Sequence, residues 1–183
     1  MNTETSRRPQ SSSPQPSPFK VPDKVWAPLV TGILILLVGT VGLFANQPWL
    51  FPALGPTAFL QAERPDLQAS RFYNVVVGHL CGMTAGILAV AVLGAASAPG
   101  VLETSSLPPV RLWASVVAMM LTMLACLLLK ANHPPAAATT LLFSLGGFAP
   151  VRQDITTVIA SVLILAAAGE ILRQVRLRQT SSS

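Results

Sequence analysis

Residues 131–149 read ANHPPAAATTLLFSLGGFA, an uncharged apolar segment opened by two consecutive prolines. A regular helix needs about 20 apolar residues to cross a bilayer, and the body after Pro135 is too short for that. Proline is tolerated in a first helical turn but not within a helix. The string Asn132-His133-Pro134-Pro135 therefore predicts an irregular approach that turns into a half-helix, with Asn132 as its N-cap. Non-helical backbone at membrane depth is tolerated only where protein buries it or where it lines a cavity. A second segment, 46–62, has the same character. It is uncharged and broken by Pro48, Pro52, Gly55 and Pro56, and only Pro56 to Ala62 reads as helix.

Around these two segments lie runs of bilayer length. Val25 to Ala62 holds 38 residues without Asp, Glu, Lys or Arg, and Phe72 to Leu102 holds 31. Hydrophobic residues make up 51% of the 183 and charged ones 10%, with mean hydropathy +0.58. A soluble domain carries about 25% charge. Four long spans are expected, at about Trp26–Ala45, Phe72–Leu93, Leu112–Leu129 and Ile155–Leu172. Nothing remains for a water-soluble catalytic domain, so the function belongs to the membrane part.

The expected fold is an all-α membrane protein of four long transmembrane helices plus two short Pro-broken half-helices. It forms two similar halves, about 25–93 and 112–172, in the manner of an inverted repeat. Each half has a long span beginning at Trp26 or Trp113, a short segment opened by Asn46 or Asn132, a charged link and a second long span. Paired short, Gly/Pro-interrupted segments of this kind point to a transporter's binding site. Residues 1–24, rich in Ser, Pro and Gln, read as a disordered cytoplasmic tail, and 173–183 as a cytoplasmic C-terminal tail behind the anchoring Arg173, Arg176 and Arg178.

A helix start at membrane depth offers unpaired N–H groups and a positive dipole end, which attract a small anion. Asn132, His133, Pro134, Pro135 and Thr139 are the candidate substrate-binding residues of the second short segment, and Gly55, Pro56 and Thr57 those of the first. The simpler alternative is that Asn132 only caps the helix and His133 bonds a neighbouring carbonyl. Asn74, Gly78, Gly82 and Gly86 recur every four residues, a small-residue stripe for close helix packing, and Ala114, Ala118, Thr122 and Cys126 repeat it. His79, beside the stripe, is a candidate for a proton or substrate pathway together with Asn74. Glu170 lies within a turn of Arg173 and is expected to pair with it.

His133-Pro134-Pro135 in its Asn132–Leu142 setting, Pro52-Ala53-Leu54-Gly55-Pro56-Thr57-Ala58 and Gly78-His79 together resemble the HPP family of integral membrane proteins, over about Val25 to Leu172. The resemblance implies four membrane-spanning helices and a small-anion transporter, with nitrite the first candidate because plant plastid and cyanobacterial members are implicated in its transport. Some members carry an added regulatory domain after the membrane part, and none is expected within these 183 residues.

No Ser-His-Asp, Cys-His or His-Glu-x-x-His pattern occurs, so no catalytic residue, metal or cofactor is expected. Cys81 and Cys126 each lack a ligand partner at metal-site spacing. The net charge of +5 and pI near 10.0 come from tails and loops and suit membrane orientation rather than nucleic acid. The expected partners are an anion and the lipid bilayer, with a homo-oligomer admitted. A channel for another small solute, or a non-transporting assembly subunit, is the alternative function. The expected location is a bacterial inner membrane with both termini cytoplasmic. If the short segments dip in and return, eight basic residues lie inside and four outside. If they cross, ten lie inside and two outside, which fits the positive-inside rule better and favours six crossings over the four implied by the resemblance.

Overall fold

A computed structural model describes residues 21–181. Residues 1–20, most of the expected N-terminal tail, lie outside the described residues. Those described form helices, joined by turns and loops. They are α1 (Asp23–Phe44), α2 (Leu54–Glu63), α3 (Phe72–Val92), the single turn α4 (Val101–Thr104), α5 (Pro109–Leu128), α6 (Ala136–Ser144) and α7 (Arg152–Ser181). α1, α3, α5 and most of α7 are long and apolar enough to cross a membrane. α7 continues through Arg173, Arg176 and Arg178 to Ser181, so helix extends into the expected C-terminal tail. Helix α2 begins two residues before Pro56, which the backbone accepts because proline's missing N–H falls in the first turn.

α1 and α5 end in the same way. Asn46 (φ 51°) and Lys130 (φ 52°) take the left-handed conformation. Gln47 N–H then donates to Gly42 O at 2.9 Å, and Ala131 N–H to Cys126 O at 2.8 Å, closing the helices with Schellman turns. The chain folds back from each. Trp49 and Leu50 lie against Gly42 and Gly39 of α1, where a Cβ on Gly42 would come within 2.9 Å of Trp49 Cβ. Phe51 and Ala53 are buried in the first return segment, and Ala131 and His133 in the second, which shields the non-helical backbone. Pro48, Pro52, Pro134 and Pro135 lower the number of N–H groups needing partners there.

The contacts at the two ends of the bundle give the direction of every pass. At one end Arg176 pairs with Asp23 and donates to Val21 O at 2.8 Å. Arg173 donates to Pro65 O at 3.1 Å, Phe72 N–H to Glu170 at 3.1 Å, and Tyr73 OH to Leu129 O at 2.9 Å. At the other end Arg111 donates to Ala98 O at 2.8 Å and to Ser144 O at 3.3 Å, and Val101 N–H to Leu145 O at 2.9 Å. Glu63, the last residue of α2, therefore lies back beside the start of α1, around a cavity of about 450 Å3 lined by Asp23, Lys24, Phe59 and Arg176. Each short segment runs the length of the bundle, its first part irregular and its second part helical. The first half runs up, down, up through α1, α2 and α3, and the second down, up, down through α5, α6 and α7.

The halves exchange their last helices. α2 packs with α1 and α7, α6 packs with α3 and α5, and α3 against α7 joins the two three-helix units. Leu29, Ile33 and Leu36 of α1 and Met120, Met123 and Leu127 of α5 are exposed, the apolar outer faces of a bundle that meets lipid.

Candidate functional site

The position of α6 follows from glycine. A Cβ added to Gly78 would come within 2.7 Å of His133 Cβ, one on Gly82 within 2.6 Å of Ala136 O, and one on Gly86 within 2.8 Å of Phe143 Cβ. The stripe thus admits the α6 segment, backbone and all, to the surface of α3. On its other side α6 meets α5 through hydroxyls. Thr140 and Thr122 share a hydrogen bond of 2.8 Å, and Ser144 and Ser115 one of 2.9 Å. Ala114, Ala118 and Cys126 of the second stripe are buried. Cys81 and Cys126 are free, buried thiols on α3 and α5.

Where α2 and α6 begin, four buried side chains join in series. His133 Nδ1 is 2.8 Å from Ala69 O, His133 Nε2 is 3.2 Å from Thr57 Oγ1, Thr57 Oγ1 is 2.9 Å from His79 Nε2, and His79 Nδ1 is 2.7 Å from Thr139 Oγ1. The direction of the bonds follows from the Ala69 carbonyl, which can only accept, so His133 Nδ1 carries a proton. Thr57 Oγ1 also lies 2.8 Å from Ala53 O. With His133 neutral, the one hydroxyl proton of Thr57 is therefore shared between Ala53 O and His133 Nε2, while its oxygen accepts from His79 Nε2–H. His79 Nδ1 then accepts from Thr139. Every nitrogen and hydroxyl is satisfied, as burial requires. The rings stand 5.0 Å apart, and Phe51 places its edge against His79. No carboxylate enters the series.

Thr57, His79, His133 and Thr139 are therefore brought together from α2, α3, the α6 approach and α6. The other candidates stand around them. Asn74 donates to Asn132 O at 3.2 Å and to Lys130 O at 3.5 Å, fixing the approach to α6. Asn132 is exposed and does not cap the helix, since the cap position falls to Pro135. Its expected capping role is corrected for a simple reason: two prolines and His133 intervene before the helical turn closes. The amides of Ala136, Ala137 and Ala138 already donate to the carbonyls of His133, Pro134 and Pro135. The start of α6 thus presents an imidazole more than a rank of free amides. Pro56 and Pro134 are exposed, and a Cβ on Gly55 would meet nothing within 4 Å.

Sequence reasoning passed over three features. Gln61 is 2% exposed, donates to Ser70 O at 3.2 Å, and lies directly over Gly169 of α7, with its Oε1 unpartnered. Arg111 is 5% exposed, and its guanidinium closes the C-terminal end of α6 through Ser144 O, a favourable place for a cation. The hydroxyl seam between α5 and α6 was readable as Thr140 and Ser144 one turn apart, facing Ser115 and Thr122 two turns apart. Glu170 does pair with Arg173, at 2.7 Å.

No curated protein and no solved structure matches this chain. The sequence profile described as "HPP, transmembrane region" matches residues 16–180, nearly the whole chain. A match of that extent, over a bundle with four apolar spans and two short helices, makes the chain an integral membrane protein belonging to the HPP transmembrane family.

Proposed function

We propose that the protein transports a small inorganic anion, nitrite being the first candidate, and that the anion is taken where α2 and α6 begin. The observation that carries this reading is the junction of two oppositely directed short helices at a buried group of hydroxyls and imidazoles without a carboxylate. Such a group offers donors to an anion and no negative charge to balance a cation. In the arrangement described, Thr57, His79, His133 and Thr139 bond one another. Transport then consists of exchanging those bonds for bonds to the anion as the α1–α2–α7 unit shifts against the α3–α5–α6 unit, opening the junction to one end and then the other. Gly55, Pro56, Asn132, Pro134 and Pro135 form the approaches, and Asn74 holds one of them.

Uptake by purified protein in liposomes, comparing nitrite, nitrate, formate and chloride, tests the reading. Saturable uptake with countertransport of at least one anion is expected, and fluxes equal to protein-free vesicles for all four refute it. Both termini are proposed to be cytoplasmic, in a bacterial inner membrane, because the basic residues concentrate at that end under six crossings. A cysteine at Ser106, in a variant lacking Cys81 and Cys126, should then react with an impermeant thiol reagent from outside intact cells. Ser106 is preferred to Ser105, whose φ of 53° resists substitution. Labelling only after permeabilisation refutes the orientation.

A further inference from the structure

We propose that each anion moves with one proton, carried along Thr139, His79 and Thr57 to His133. The inference rests on the transport reading and adds its co-substrate. It stands on a property of the buried series: it has two hydrogen-bonded arrangements that differ by one proton. In the first, described above, Thr139 donates to His79 Nδ1, His79 Nε2 to Thr57, and Thr57 to Ala53 O and His133 Nε2 together, with His133 Nδ1 donating to Ala69 O.

The second arises when opening of the junction lets a proton from water reach the Thr139 hydroxyl, which is fully buried in the arrangement described. The Thr139 oxygen takes the arriving proton and releases its own to His79 Nδ1. His79 releases its Nε2 proton to the Thr57 oxygen, and Thr57 passes its hydroxyl proton to His133 Nε2. The atoms balance: Thr139, His79 and Thr57 each gain one proton and lose one, and His133 gains one to become imidazolium. His133 Nε2–H now donates to Thr57, Thr57 to His79 Nε2, and His79 Nδ1–H to Thr139. No heavy atom has to move, because the 2.7, 2.9 and 3.2 Å separations serve either direction.

The positive charge comes to rest on the side chain that opens α6, one residue from its prolines. In a buried setting a cation without a carboxylate calls for an anion. Among the titratable groups on the elements packed around the pair, Glu63 on α2, Tyr73 and Cys81 on α3, Arg111 and Cys126 on α5, and Glu170 and Arg173 on α7 take no part in the series. The face of His79 toward α7 lines a small cavity with Val158, Ile159, Val162 and Leu163. Proton and anion therefore neutralise each other, and the loaded junction is uncharged.

The full chain in liposomes, with a pH-sensitive dye in the lumen, tests this under imposed gradients of nitrite, nitrate and chloride. Protein-free vesicles subtract the permeation of nitrous acid. Inward anion flux should acidify the lumen at close to one proton per anion. Thr57→Val, which keeps both imidazoles but cuts the link between them, should lower that ratio at least tenfold in the flux that remains, and Thr57→Ser should restore it. His79→Gln gives a second cut should Thr57→Val not fold. Anion flux by the unaltered protein with a ratio near zero overturns the coupling alone, as does an unchanged ratio in both cut variants. Absence of anion flux with every probe overturns the transport reading, and the coupling with it.

Discussion

The two short helices perform the same pass in opposite directions, yet they are held by different means. α6 is keyed into its unit. Three glycines of α3 admit it at distances no Cβ allows, and two hydroxyl pairs tie it to α5. α2 lies between α1 and α7 mainly on Leu54, Ala58 and Ala62, against Val30, Leu34, Val38, Val158, Val162, Leu165 and Ala166. Its close approach to a glycine, Gln61 over Gly169, is made by the end of a flexible side chain rather than by backbone. Its strongly directional side-chain bond at the junction, through Thr57, reaches across to the other unit. Interdigitated backbone and paired hydroxyls resist sliding, whereas small apolar contacts permit the shear of packed helices. α6 is thus the more firmly held wall of the junction and α2 the more loosely held one.

The largest effect expected is at the keyed contact. Gly82→Leu would drive a side chain into Ala136 O and Thr140 Oγ1, which lie 2.6 and 2.9 Å from the Cβ position. Overpacking costs about 1–3 kcal/mol where neighbours can yield, and a backbone carbonyl yields little. Folded protein recovered by size-exclusion chromatography should fall at least tenfold. Gly55→Ala on α2, with open space around it, should be recovered like the parent. Equal recovery of the two variants would erase the distinction between the walls.

Loss of function without loss of fold comes next. His133→Ala removes the imidazole joining Thr57 to Ala69 O and should reduce liposome uptake at least tenfold, about 1.4 kcal/mol, while the protein remains monodisperse. Asn132→Ala, an exposed neighbour, should cost less than His133→Ala; a larger loss there would move the site from the junction to the approach. The smallest effect belongs to the hydroxyl seam. Thr122→Val should destabilise the bundle by about 0.6 kcal/mol, the mean for interhelical hydrogen bonds in membranes, read as a slight fall in thermal midpoint in detergent. A fall as large as that of a glycine substitution would mean that hydroxyls rather than glycines hold α6.

Much of this was readable beforehand. The uncharged runs named the four spans, and the prolines at 48, 52, 134 and 135 marked where helix could not continue. The four-residue recurrence of Gly78, Gly82 and Gly86 announced a close approach without saying what approaches. His79 and His133 stood out as ionisable residues in apolar surroundings. Their meeting did not, because 54 residues separate them and the link is a threonine from a third segment. The cap assigned to Asn132 failed since local rules place a helix start at the first suitable polar residue, while here the turn closes only after the second proline.

What the sequence determined by itself is whatever depends on transfer between water and hydrocarbon: which segments are long and apolar enough to span, and where backbone must break. Those terms are summed residue by residue and need no partner. The tertiary structure alone decided that each half gives its last helix to the other, so that α3 receives α6 and α7 receives α2. It also decided that Thr57 lies between two imidazoles. Such choices depend on whether distant surfaces fit at van der Waals distance and whether buried donors find acceptors, and both are properties of pairs of segments that no single stretch of the chain contains.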